Sequence, residues 1–358
     1  MNAWGVGRPR LWASLELLPA VWRAQLGRGV IRTFNPTLVA LSTGYALAYR
    51  VVLPDGLRRL ALCRLTTDLD VVPGSTLPLS DLLGPMDAAA CSQQACTWFA
   101  DPRLVRWGDQ LLLHWNSGCH APRNHQFVQA LDPVSLMPTG RPRELLRIGG
   151  QFRIEKNWGL LASGGELWAV YSLCPLRLLR LRNDTGAAWE FAETDCFGWD
   201  DRGYAALYGE MRGGAPPQRV GDRVFVFGHS RYATRAGIRY VAALAVFEVA
   251  ETLRPFTCLP RPLPLPHPHG GSFLAPRLND SVRSVVYPGG ALHEGATWLV
   301  AYGLNDEHCA VVRLNHQQLL RRCVAAGLAP SRAECLWDQA VVAPPPRWRH
   351  WLRLMGWR

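Results

Sequence analysis

Five short polar clusters recur along this chain where strands begin or end: Asn35 with Arg50, Asp101-Pro102-Arg103, Glu155-Lys156-Asn157, Arg212-Gly213-Gly214 with His229, and Asn305-Asp306. Taken singly they read as turn chemistry, because Asp before Pro, Arg-Gly-Gly and Asn-Asp all favour tight loops and Asx-turns. One cluster for each candidate sheet points instead to a shared polar site. Lys156 stands out within it as the only lysine among 39 basic residues. Arginine substitutes well for lysine on a solvated surface, but not where a compact ammonium with three freely turning donors must fit a small space. A chance survivor on a surface turn is the plain alternative. Inverting group transfer needs an acid to protonate a leaving oxygen and a nucleophile on the opposite face, and a cationic cluster is where a phosphate or a sugar-nucleotide diphosphate would sit. Hydrolysis would need a second carboxylate as base, for which Glu155, Asp200, Asp201 and Glu210 are candidates of equal standing.

The elements that must position these clusters alternate with period two. Leu38 to Leu41 and Tyr45 to Val52 flank the turn Ser42-Thr43-Gly44, with a further strand at Leu60 to Leu65. Equivalent sets follow at 104–131, 160–182, 218–248 and 284–314. Five sheet-sized units at this spacing predict an all-β fold, a five-bladed β-propeller in which radial repetition protects the strand edges. A Pro-rich run over 260–271, with His267 and His269, reads as an extended connection and not as a metal tract. Short helices are expected at both ends: one over 9–28, with Leu11, Leu15, Leu18, Val21, Trp22 and Leu26 on a single stripe, and one over 317–327. The expected organisation is an N-terminal capping helix (1–30), the propeller (31–318) and a basic, Trp-rich tail (319–358).

A content of 48% hydrophobic and 19% charged residues is that of a globular chain with a large core. The net charge of +11 raises nucleic acid or an anionic membrane as partners. The arginines are scattered, however, and no nucleic-acid motif accompanies them, so nucleic acid is excluded. Arg347 to Arg358 alone concentrates cations with aromatics and suits peripheral membrane contact or packing back on the domain. The ten cysteines include no C-x-x-C pair and no zinc spacing, which predicts reduced thiols, no metal and a cytoplasmic location, with membrane association through the tail. No stretch is apolar for long enough to span a bilayer.

The residues Asn35-Pro36, Arg50, Asp101-Pro102-Arg103, Glu155-Lys156-Asn157-Trp158, Tyr171-Ser172 with Pro175, Arg212-Gly213-Gly214 through His229, and Tyr302-Gly303-Leu304-Asn305-Asp306 resemble, in order and spacing, the five-bladed propellers of the glycoside hydrolase family 130 type. That family contains β-mannoside phosphorylases and hydrolases and related β-mannosyltransferases. The resemblance runs from about Asn35 to about Leu314. It implies that Asp101 is the general acid, acting on the glycosidic oxygen directly or through a sugar hydroxyl. It further implies that Asn35, Arg50, Arg103, Asn157 and Asp306 hold sugar, and that Lys156, Arg212 and His229 hold the anion or acceptor, with no cofactor.

Two departures matter. The family's His-Arg-Pro at the end of the third blade's inner strand is replaced by Tyr171-Ser172-Leu173-Cys174-Pro175, and the acidic residue before Asp-Pro-Arg is Ala100. They shift the expectation toward a transferase of hexose, mannose foremost, to or from a glycan, with phosphate or a sugar nucleotide as partner. A phosphorylase or hydrolase is the near alternative. A glycan-binding propeller without catalysis is the alternative of another class.

Overall fold

The computed structural model describes residues 5–24, 29–86, 97–118, 123–152, 154, 156–267, 274 and 276–329. Glu155, His269, Cys91, Cys96 and the basic tail from 330 onward lie outside them.

The chain forms a five-bladed β-propeller. After a short strand β1 (Arg10–Leu11), blade 1 is β2 (Arg32–Ala40), β3 (Tyr45–Val52) and β4 (Arg58–Leu65). Blade 2 is β5 (Ala100–Trp107), β6 (Gln110–Asn116), β7 (Gln126–Leu131) and β8 (Pro138–Arg147). Blade 3 is β9 (Gly159–Ser163), β10 (Glu166–Leu173), β11 (Leu176–Asp184) and β12 (Ala188–Phe197). A two-residue strand β13 (Trp199–Asp200) precedes blade 4, which is β14 (Gln218–Val220), β15 (Arg223–Thr234), β16 (Gly237–Val249) and β17 (Leu253–Cys258). Blade 5 is β18 (Val282–Glu294), β19 (Thr297–Leu304) and β20 (His308–Asn315). The chain then adds β21 (Val324–Ala325) to β17 and pairs β22 (Gly327–Leu328) with β13.

Each blade is antiparallel, and the inner strands meet around one axis: β2 touches β5 and β18, β5 touches β9, and β14 touches β18. Two short parallel ladders, β8 with β12 and β16 with β18, are seams between neighbouring blades.

Alternation along the strands decides what fills the gaps between blades. In β6, Leu111, Leu113 and Trp115 pack toward blade 1, while Leu112 packs toward blade 3. In β15, Val224 and Val226 face blade 3, while Phe225 and Phe227 face blade 5 and Trp298. Every gap therefore holds its own apolar cluster, and the axis is left to other residues.

The N-terminal helix expected over 9–28 is, among the described residues, a single turn at Ala20–Arg23. Arg10 and Leu11 instead pair with Val311 and Ala310, so the N-terminus closes the ring by supplying the outer strand of blade 5. Trp12, Leu17, Leu18 and Trp22 are buried between blades 1 and 5, while Leu15 and Val21 of the expected stripe are exposed. The three-and-four spacing lost to strand closure, which buries Leu18 and Trp22 of the stripe together with Trp12 and Leu17 from outside it. The C-terminal helix is likewise one turn, His316–Leu320, before the chain returns to strand.

Candidate active site

Four of the five inner strands depart from regular pairing at their polar clusters. The register shifts across Asn35-Pro36 in blade 1, across Asp101-Pro102 in blade 2 and at Gly289 in blade 5. In blade 4, Arg212 and Ala215 bond His229 and Phe227, so Gly213 and Gly214 stand opposite Gly228 alone. In blade 3, Asn157 lies just ahead of β9. Asn35 (φ 51), Asp101 (φ 49) and Asn157 (φ 64) take left-handed backbone, as do Asn305 and Asp306. Asn and Asp tolerate that conformation best among residues bearing a Cβ, and such strain clusters where function demands it. Glycine is needed where blades touch: a Cβ on Gly213 would sit 2.3 Å from the Asn157 carbonyl oxygen, and one on Gly289 would sit 2.4 Å from that of Pro36.

These bulges bring residues far apart in sequence into one network around Asp101. Asn35 Nδ2 donates to Asp101 Oδ1 at 2.9 Å, Arg50 donates to the same oxygen at 3.1 Å, and Asn116 Nδ2 reaches Oδ2 at 3.4 Å. The Asp101 side chain keeps 16% of its surface exposed, so the carboxylate is reachable. Burial alone would raise its pKa, but the positive charges of Arg50, Arg103 and Lys156, with the Asn35 hydrogen bond, hold it well below the usual carboxylate range. Asp306 goes the other way. Burial raises it, with the Asp101 charge adding, and Arg50, Arg58 and Lys156 offset only part of this. Lys156 thus lies within electrostatic reach of both carboxylates, which is the polar setting expected of the lone lysine.

Arg103, expected to hold sugar, spends its donors on protein. It is 1% exposed, and it donates from Nε to Gly214 O (2.7 Å), from one terminal nitrogen to Asp101 O (3.3 Å) and from the other to the Tyr287 hydroxyl (3.1 Å). It ties blades 2, 4 and 5 together beneath the site and positions Asp101. Tyr287 passes its own hydroxyl proton toward Asn157 Oδ1 at 3.5 Å. The His229 ring lies 4.8 Å from the Tyr287 ring, and burial and then the Arg212 charge push its pKa down to about 3. His229 therefore acts as a neutral hydrogen-bonding group and not as a cation.

Between blades 3 and 4 the site opens into a cavity of about 130 Å³. Lys156, Asn157, Arg212 and Gly213 line it together with Arg177 and Glu210, and Phe152, Ile154, Tyr171, Leu173 and Met211 form its apolar walls. Of the possible bases, Glu210 faces this cavity. Asp201 instead caps the helical turn Tyr204–Tyr208 through Gly203 N and Ala205 N, and Asp200 caps Arg202 N and pairs with the Arg202 guanidinium at 2.9 Å. Glu155 is outside the described residues.

Asn116, Tyr287, Arg58 and Arg177 escaped the sequence reading. Tyr287 had a signal, since Tyr287-Pro288-Gly289-Gly290 occupies in blade 5 the place that Phe34-Asn35-Pro36-Thr37 holds in blade 1. Among the described residues no group of three or more His, Cys, Asp or Glu could hold a metal ion, and no helix is long and apolar enough to cross a membrane. Among the described residues, Cys63, Cys258, Cys309 and Cys323 are free thiols.

No protein-family model matches the chain, and no curated protein sequence does. Solved structures do. A protein of Parabacteroides distasonis assigned to the glycoside hydrolases aligns over 89% of this chain and 99% of its own, at 15% identity and a TM-score of 0.59. The β-1,2-mannobiose phosphorylase of Listeria innocua, solved with β-1,2-mannobiose, aligns over 88% and 99%, at 12% identity and a TM-score of 0.53. A glycosyl hydrolase of Bacteroides ovatus aligns over 85% and 86%, at 12% identity and 0.53. This chain shares their fold. The propeller expected from the resemblance is the propeller found, and at such identities the likeness speaks for the fold and leaves the chemistry to the site.

Proposed function

We propose that the protein cleaves β-mannoside-type glycosides by inverting phosphorolysis, with Asp101 as the general acid. One observation carries this reading: Asp101, hydrogen-bonded to Arg50 and Asn35, is held ionised by the charges of Arg50, Arg103 and Lys156, which an anionic co-substrate would offset. A phosphate beside Lys156 and Arg212 opposes those charges and raises the Asp101 pKa, so the acid gains its proton when the nucleophile is in place. The sugar to be transferred occupies the axial end, against Asn35, Arg50 and Asp306. A phosphate oxygen attacks its anomeric carbon, the bond from that carbon to the glycosidic oxygen breaks, and the Asp101 proton passes to the leaving oxygen directly or through a sugar hydroxyl. A β-mannoside and phosphate give α-mannose 1-phosphate and the shortened glycan.

The solved structures of the same fold include a phosphorylase and hydrolases, which favours cleavage over the transferase expected from the two sequence departures. Glu210, at the cavity wall, supports hydrolysis as the second reading, with Glu210 activating water. Incubation with β-1,2-mannobiose and other β-mannosides, with and without phosphate, separates the cases. Mannose 1-phosphate formed only with phosphate supports phosphorolysis, and free mannose without phosphate supports hydrolysis. Nucleotide release from GDP-mannose in the presence of an acceptor would return the assignment to transfer. Sugar binding without any product would identify a lectin-like propeller.

A further inference from the structure

We propose that Arg58 is a specificity-determining residue of the axial end, where its guanidinium donates to a hydroxyl of the hexose held by Asn35, Arg50 and Asp306. The proposal rests on the reading of that end as the sugar subsite and names a residue that the reading leaves out.

The pairing of β3 with β4 brings Arg58 to the site. Arg50 stands opposite Leu60, and Val52 stands opposite Arg58. Register partners, and residues two apart on one strand, share a face of the sheet. Arg58 is therefore the diagonal neighbour of Arg50, on the face that Leu60 turns toward blade 2. Its guanidinium lies over the Trp98 ring, 5.0 Å from the centroid, and Trp98 stands three residues ahead of Asp101. Gly118 seats that indole closely, since a Cβ there would come within 2.5 Å of the Trp98 ring nitrogen. The cation is thus held between blades 1 and 2, beside the Arg50–Asp101 pair.

The charges around it leave Arg58 over. Arg50 pairs with Asp101 at 3.1 Å, and Arg32 faces Glu307 at 3.9 Å. Arg58 enters no such pair among the described residues, and its Nε and one terminal nitrogen are buried without a hydrogen-bond partner. Burial, and then the Arg50 charge, push its pKa down to about 10, and the Asp306 charge offsets only part of this. A bracing arginine spends its donors on protein, as Arg103 does, whereas donors left unmade in a buried place cost stability. A sugar hydroxyl suits the gap, because it can accept from a guanidinium and donate to a carboxylate at once. Asp306, partly exposed and within electrostatic reach of Arg58, is the carboxylate on hand. Stacking on Trp98 fixes the plane of the fork, so it meets a hydroxyl at one position of the ring and discriminates against a sugar lacking it.

The test measures binding of methyl β-mannoside and its monodeoxy analogues by titration calorimetry, with melting temperature as the fold control. Arg58→Met keeps a long stem against Trp98 and loses the donors, and its mannoside Kd should rise at least about tenfold. One deoxy analogue, lacking the hydroxyl that Arg58 meets, should bind the native protein more weakly than the parent mannoside does and show no further loss in Arg58→Met. If Arg58→Met melts below the assay temperature, the folded Arg58→Lys protein carries the test, and native mannoside affinity in it overturns the proposal. An unchanged mannoside Kd in a folded Arg58→Met protein, with weakening in Arg50→Gln, overturns the role of Arg58 and leaves the sugar subsite standing. A raised Kd with every deoxy analogue losing the same factor in variant and native protein also overturns it, since Arg58 then touches no hydroxyl. A native protein that binds no mannoside overturns both.

Discussion

The two halves of the site are built differently. On the side of blades 1, 2 and 5, Asn35, Arg50, Asn116 and Asp101 interlock through hydrogen bonds between side chains, and buried Arg103 and Tyr287 brace them from below. On the side of blades 3 and 4, Lys156, Arg177 and Arg212 rim a cavity with apolar walls. The first half is cross-linked by these hydrogen bonds between blades and so keeps one geometry. The second leaves volume for a co-substrate. A reaction whose glycosyl chemistry is constant but whose attacking or leaving partner varies needs this division, because preorganisation serves the reacting centre and space serves the partner.

The comparison breaks first at Asp101. Asp101→Asn keeps the shape but removes the proton, and turnover on a β-mannoside should fall by about 10²–10⁴-fold, with the mannoside Kd little changed. Retained turnover would move the acid to Asp306, the carboxylate whose pKa is raised. Next comes Arg103→Ala, which removes three protein contacts of a buried guanidinium, and chemical denaturation should show a loss on the order of 3 kcal/mol. A neutral result would mean that the brace beneath the rigid half is dispensable. On the open side, Lys156→Arg should cost on the order of 10²-fold in turnover, because a larger planar cation displaces the anion by about an ångström. Its melting temperature should match that of the native protein, and unchanged turnover would make the lone lysine a chance survivor.

The smallest effect is one of sign, seen by comparing the two carboxylates in pH-dependent denaturation. Asp101, with a folded pKa below its unfolded value, contributes stability that is present above the unfolded value of about 3.9 and is lost as pH falls below it. Asp306, with a folded pKa above its unfolded value, is better tolerated protonated, and its contribution fades as pH rises through the folded value. At neutral pH, Asp101→Asn should therefore destabilise the protein and Asp306→Asn should leave it unchanged or more stable. Equal losses in both would show that the two carboxylates are held alike.

The propeller was legible because its cause is local. Alternation in Leu111-Leu112-Leu113 or Val224-Phe225-Val226-Phe227 sends neighbouring side chains into two different gaps between blades, and no long-range information is needed to read it. The clusters at Asn35, Asp101 and Asn157 were legible for a similar reason, since a bulge with positive φ restricts residue choice at a single position. The N-terminus was misread because helical spacing and a closing strand both place apolar residues in that stretch. Only pairing with β20, some three hundred residues away, decides between them.

The chain by itself determined where strands turn and which residues can bear the strain of the turns. The tertiary structure decided how those residues are used, because burial, charge and partner choice depend on what another blade brings alongside. It buried Arg103 beneath the site, kept His229 neutral, placed Arg177 across the hairpin from Ser172, and set the protons of Asp101 and Asp306 apart.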